Sequence, residues 1–457
     1  MMSEQPASPV WRSWLLLILS GGGALMSFIG AGLLFVGGSF GLASTAIPGF
    51  QAVTVFNLAW GVLLVGILCI PAVVFSLLEI RGKPIRWQPK PKYFYLASAG
   101  LLVWGLLVFL FKPVETSSLA WLLLPPLVLA VTVLPLWWYI ETGRRGLSLP
   151  SPAQGWGVIS FSLMLTVPII LILELVVLGV VLVVAGAYVS SQPEFASQLA
   201  DLQRMLANNN VDPQAVADLF SGMLQRPGVV FGLLVVAAGV IPLIEELFKP
   251  LAVWLLAGDR LTPAQGFYAG MLSGACFALW ENLTALSAAG DGSGTTIVVA
   301  RVGTGLLHIV TAGLVSWGMA SFWQSRQYWK RMIGMYILAV TLHGLWNASG
   351  VLTGVGPMLQ IPVEGALLTQ AVETGAIVVL VALVFVHLGL LLFANARLRS
   401  RPASVETIAA QVSDPRPTNA NSVAASNALA SAGDEAVVDP NGTADPTNSG
   451  KPDFGGE

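Results

Sequence analysis

Long apolar runs separated by short polar segments fill the chain as far as about residue 400, and this pattern predicts membrane-spanning helices. About 20 apolar residues at roughly 1.5 Å each cross the ~30 Å hydrocarbon core of a bilayer. Ten runs have that length, near residues 14–37, 52–78, 93–111, 118–140, 157–188, 228–257, 264–289, 298–323, 332–352 and 368–394. Little more than Lys112 to Ser117 separates the third and fourth, and the fifth is long enough to be tilted or broken. The expected fold is therefore all-α, a polytopic transmembrane helical bundle of about ten spans.

Two segments break the pattern. In 190–227, Phe195, Leu199, Leu202 and Met205, then Val216, Leu219, Phe220 and Met223, recur at helical spacing, which predicts two short amphipathic helices. Asp212-Pro213 supplies a capping carboxylate and a proline at the first helical position for the second. These helices read either as a lid or as a hairpin on the membrane surface. After Arg401 the residues turn to Pro, Ser, Asn, Asp, Gly and Ala with almost no aromatics, the composition of a disordered tail. The expected organisation is a four-span region over 1–155, a membrane core over 156–400 carrying the loop 190–227, and a tail over 401–457.

Composition agrees with the runs. The chain is 55% hydrophobic and 10% charged, with a mean hydropathy of +0.77, whereas soluble domains are about 25% charged. A net charge of −2 gives no reason to expect nucleic acid as a partner. Cys69 and Cys276 both lie inside apolar runs, which excludes a disulfide framework and a paired-cysteine metal site. Basic residues gather on the cytoplasmic side of membrane proteins. With the N-terminus inside, inner segments hold 15 Lys and Arg and outer segments hold three, Lys112, Arg204 and Arg226. Ten spans with both termini cytoplasmic, in a multi-pass protein of the cell membrane, is the expected topology. The first run exceeds the h-region of a signal peptide and reads as an uncleaved anchor.

Against this background, charges inside spans stand out, because Asp, Lys or Arg at a helix centre costs about 2.5–3.5 kcal/mol each on the insertion scale. The sixth run, VIPLIEELFKPLAVWLL, puts Glu245, Glu246 and Lys249 within five residues. If Glu costs about as much as Asp, their nominal penalty is roughly 8–10 kcal/mol, tolerable where they pair and face a protein-lined, hydrated pocket. Lys249 can reach either glutamate at spacings of four and three. One structural ion pair explains one glutamate, not two. Pro242 and Pro250 bracket the cluster and free the carbonyls of Ala238 and Glu246, so a kinked helix is expected there.

The next three runs add to it. The seventh carries a small-residue stripe, Gly266, Gly270, Gly274 and Ala278, that invites close approach of another helix, followed by Phe277, Trp280, Glu281 and Asn282. Glu281 has no basic neighbour in its own helix, so its partner must come from elsewhere or it must be protonated. The eighth has Arg301 and His308, and the ninth has His343 with Asn347 one helical turn later. Measured from one end of each run, Glu245 and His343 lie at a depth of about 18 Å, His308 about 23 Å and Glu281 about 26 Å. One shared layer near the midplane is compatible with those depths. His387, Glu174 and Glu373 match no motif and read as packing or structural residues.

The ordered set of Glu245-Glu246-Leu247-Phe248-Lys249, Phe277 to Asn282, His308, and His343-Gly344-Leu345-Trp346-Asn347 resembles the PrsW family of intramembrane proteases, in the wider group that includes the CAAX prenyl proteases. The resemblance spans 228 to about 350 and leaves out the first four spans and the tail. It implies hydrolysis of a peptide bond in or beside the membrane, in membrane-anchored protein substrates that in some members are anti-sigma factors. It implies catalytic roles among Glu245, Glu246, Lys249, Glu281, His308, His343 and Asn347.

Two mechanisms fit. A zinc ion could be held by His308, His343 and Glu281, with Glu245 or Glu246 taking the proton of its water. Alternatively, without metal, a glutamate of the pair could act as general base while His343 and Asn347 stabilise the oxyanion. The histidines lack the H-E-x-x-H spacing of soluble zinc proteases, so the metal rests on ligand types alone. A proton- or cation-coupled transporter using the same residues as a relay is the competing class, but internal repeats and deep charges in the first four spans, which it would favour, are not evident.

Overall fold

The computed structural model describes residues 10–43, 52–83, 85, 90–208, 212–257, 261–287, 294–355 and 366–399. The expected tail, 402–457, lies outside the described residues. Among those described, every regular element is a helix. In chain order they are α1 (Val10–Ala43), α2 (Ala52–Ile80), α3 (Lys92–Glu115), α4 (Ala120–Arg144), α5 (Pro152–Ser191), α6 (Pro193–Ala207), α7 (Pro213–Leu224), α8 (Gly228–Trp254), α9 (Pro263–Ser287), α10 (Gly294–Gln324), α11 (Trp329–Val355) and α12 (Ala366–Leu398).

Nine of these are long and apolar enough to cross a membrane. The tenth expected span is α9, 25 residues long but rich in Gly, Ser and Ala. Its position explains why it can be less apolar: from Ala269 to Leu279 every residue is buried, so other helices rather than lipid surround it. Lipid-facing chemistry is left to the periphery, where Phe109, Leu102, Phe40 and Ile18 stand open on the outer surface.

The centre of the bundle is the α9–α10 pair. Every residue of α10 from Gly303 to Ser321 is buried. The small-residue stripe is the reason the two helices come so close. A Cβ on Gly270 would sit 2.3 Å from the Ala312 carbonyl oxygen, and one on Gly274 2.1 Å from the His308 carbonyl oxygen. Gly266 meets Ser316 and Ala320 in the same way, so the register descends in steps of four along both helices. α4 packs beside this pair, through Val128, Val131, Leu136 and Tyr139 of the largest core cluster. Asn395 of α12 closes the end of α4 by donating to the carbonyls of Gly143 (2.8 Å) and Arg145 (2.9 Å).

The two short amphipathic helices form as expected. Asp212 accepts from the Gln214 amide at 2.9 Å as an N-cap, and Pro213 is the first helical residue. Phe195 and Leu219 pack with Val189, Leu202 and Met223 into a small core of their own, with the Arg226 guanidinium 5.8 Å from the Phe195 ring centre.

Candidate active site

The kink expected in α8 is a compound one. The helix widens into a π turn over Val236–Val240, stops after Phe248, and resumes as a single turn, Leu251–Trp254. Pro242 and Pro250 each withhold the N–H that would close the regular ladder. Carbonyls around these breaks are engaged by neighbouring helices. Ala238 O faces Gly344 of α11, where a Cβ would come within 2.3 Å, so a residue without a side chain lets the backbones meet. Asn347 Nδ2 donates to Ala237 O at 2.9 Å, and Tyr336 Oη donates to Leu243 O at 2.9 Å. The Lys249 carbonyl accepts from Ser273 Oγ of α9, which also shares a 2.8 Å hydrogen bond with Ser162 Oγ in a second π turn, Ser162–Thr166 of α5. Single π turns of this kind are common beside functional sites.

These fastenings aim the charged side chains at one another. Lys249 is fully buried, and its Nζ lies 2.8 Å from Glu245 Oε2, 2.8 Å from Glu246 Oε1 and 2.8 Å from His308 Nδ1. The Phe277 ring closes the remaining side, 4.6 Å from Nζ. An isolated buried ammonium would be prohibitively costly, and this one is enclosed by two carboxylates and a ring nitrogen. Glu245 Oε2 stands at ion-pair distance from Nζ but off the hydrogen-bonding direction, leaving it with no hydrogen-bond partner among the described residues.

Each histidine is held on one nitrogen by a glutamate and turns the other toward Glu245 or Lys249. His343 Nδ1 is 2.8 Å from Glu246 Oε1, while its Nε2 is 3.9 Å from Glu245 Oε2. His308 Nε2 is 2.6 Å from Glu281 Oε2, while its Nδ1 faces Lys249. Their rings cross at 76° with centroids 5.2 Å apart. The partner that Glu281 required from elsewhere is Arg301 of α10, whose Nη2 is 2.7 Å from Glu281 Oε2 and whose Nε donates to Asn282 Oδ1 at 2.7 Å. One guanidinium thus fixes both polar residues of the Phe277 to Asn282 motif.

The donors that converge are Glu245, His308 and His343, whose ligand atoms all lie within 4.8 Å of one another. This differs from the expected ligand set of His308, His343 and Glu281. Glu281 sits on the far nitrogen of His308 and is engaged by Arg301, so it backs a donor instead of joining the group. Two imidazoles and a carboxylate suit a divalent zinc-like ion, and the ammonium already standing among them shows that the position favours positive charge.

Asn347 shares the α11 face of His343, but its amide nitrogen is turned to the α8 backbone. His387 is buried in packing as expected, with Nδ1 2.6 Å from Leu383 O and its ring edge-on to Trp346. Glu174 of α5, read from the sequence as structural, is brought against the carboxyl of Glu245. Its place midway along the fifth run, at the level of the other deep charges, was the available signal.

Residues 167–388 match the model of a family described as PrsW family intramembrane metalloprotease. No curated protein and no solved structure matches the chain. The matched stretch begins in α5 ahead of Glu174 and ends in α12 just beyond His387, so it encloses every residue of the converging cluster. Residues 167–388, a little under half of the chain, are thus similar to the PrsW family, and this similarity supports an intramembrane peptidase.

Proposed function

We propose that the chain hydrolyses a peptide bond of a membrane-anchored protein at the layer formed by Glu245, His308 and His343. The observation that supports this most is the separation of roles among the three glutamates. Glu246 and Glu281 are each bound through one oxygen to one histidine and one cation, whereas Glu245 makes no hydrogen bond to a histidine and lies in the converging group with His308 and His343.

In this reading Glu245 takes the proton from the attacking water and returns it to the leaving amine. Glu246 orients His343 through Nδ1, which leaves Nε2 directed at the reacting centre. Glu281, gripped by Arg301, does the same for His308 through Nε2. With a zinc ion bound, Glu245 would instead join His308 and His343 in holding it, and the ion would supply Lewis acidity toward water and the scissile carbonyl. Asn347 acts as a positioning residue that keeps α11 against the wide turn of α8. The substrate is a single membrane-anchored chain that must unwind locally to expose its bond; the family resemblance suggests anti-sigma factors as one such class.

The test is cleavage of single-span proteins by the purified chain in water enriched in oxygen-18. A new C-terminus within or beside the span, carrying one labelled oxygen, is the expected product. Proton-coupled solute flux in proteoliposomes with no cleavage of any substrate would replace the peptidase mechanism with the transporter.

A further inference from the structure

The donor group that suits a divalent ion already holds a cation. Lys249 Nζ is 2.8 Å from Glu245 Oε2 and 2.8 Å from His308 Nδ1, two members of the three-donor group. An ion bonded to those residues at about 2.0–2.2 Å would have to stand in nearly the same place. Both overlap and repulsion between like charges forbid the ammonium and the ion from being there together.

The lysine is also built to be released on one side only. Its third contact, Glu246 Oε1 at 2.8 Å, lies outside the donor group, and the Phe277 ring flanks it at 4.6 Å. Its backbone is at the break in α8, where Pro250 interrupts the ladder and Ser273 takes the Lys249 carbonyl. An ammonium that leaves Glu245 and His308 therefore keeps one carboxylate and one aromatic face.

We propose that Lys249 is an internal competitor of the metal, holding Glu245 and His308 together in the metal-free protein and withdrawing toward Glu246 and Phe277 when a divalent ion binds. This deepens the peptidase reading and rests on it for the identity of the site. The lysine then sets two properties at once. It keeps a buried carboxylate cluster intact without metal, and it weakens metal affinity by the work of moving the ammonium aside.

The experiment is zinc binding by the purified full chain, measured by equilibrium competition with a chromophoric chelator, and cobalt(II) absorption as a report on ligand geometry. Lys249→Met is expected to bind zinc at least tenfold more tightly than the unaltered chain, and Lys249→Arg no more tightly. Adding Glu245→Gln to Lys249→Met should remove the gain, which locates it at the cluster. If Lys249→Met fails to fold, Lys249→Gln, which keeps a hydrogen-bonding side chain, takes its place. Equal or weaker zinc binding in a folded Lys249→Met or Lys249→Gln chain, or no zinc binding by any of them, would overturn the proposal. Cleavage that still depends on Glu245 alongside such a result would leave the peptidase reading standing and remove the competition alone.

Discussion

His343 Nδ1 and Glu246 Oε1 are 2.8 Å apart, across the seam between α11 and α8. That contact ties the second glutamate of the pair to orientation of the imidazole, and in the proposed mechanism the first is left to the chemistry. The two glutamates should respond differently to the same change. Glu246→Gln is expected to lower kcat by about 10–100-fold, the usual cost of losing a carboxylate behind a catalytic or ligating histidine. It should also lower Tm, because a fully buried Lys249 loses one of its two carboxylates. Steady-state cleavage and thermal unfolding in detergent separate the two effects.

Asn347 and His343 share one face of α11, yet their side chains end on different partners. Asn347→Ala is expected to cost about 1 kcal/mol, the value of one hydrogen bond to a backbone carbonyl, with activity reduced but measurable. His343→Ala should abolish cleavage in a protein that still folds. If Asn347→Ala were as inactive as His343→Ala at unchanged Tm, Asn347 would belong among the catalytic residues.

Gly274 is the point where α9 meets the turn of α10 that carries His308. Gly274→Ala would place a methyl group 2.1 Å from the His308 carbonyl oxygen, and both helices are enclosed on all sides. About 1–3 kcal/mol of destabilisation is expected, as for overpacking in other cores. Activity should fall as well, since His308 moves with the backbone. Gly350→Ala, which meets open space on α11, is the matched control and should change neither quantity.

Arg301 reaches Glu281 with one nitrogen and Asn282 with another. A lysine presents a single point of charge in place of this fork. Arg301→Lys is therefore expected to retain part of the activity, and Arg301→Gln, which leaves Glu281 without its cation, far less. Equal activity in both variants, measured as kcat at saturating substrate, would show that Arg301 does not position Glu281.

The layer of deep charges was legible in the sequence because burial of charge is costly enough to be read without coordinates. The small-residue stripe likewise implied the close α9–α10 approach, since glycines at intervals of four have one obvious use. Partner choice was less legible. Nothing in the spacing of Glu281 and Arg301 shows that they meet, because that depends on the angle between two helices and the length of the segment joining them. For the same reason the sequence did not show that Glu245 is the glutamate that converges with the two histidines. Glu174 went unassigned because a single carboxyl in an otherwise apolar run has no local pattern; only the packing of α5 against α8 gives it a neighbour. The span count shows a physical limit of another kind, since α9 is shielded by protein and need not be as apolar as a lipid-facing helix.

Cleavage of a single-span substrate by the unaltered chain and by Glu245→Gln, in the same detergent and with Tm matched, tests the central assignment most directly. Loss of about 100–10,000-fold in kcat with the fold intact is the expected result for removal of a general base. Cleavage at an unchanged rate in Glu245→Gln would contradict it.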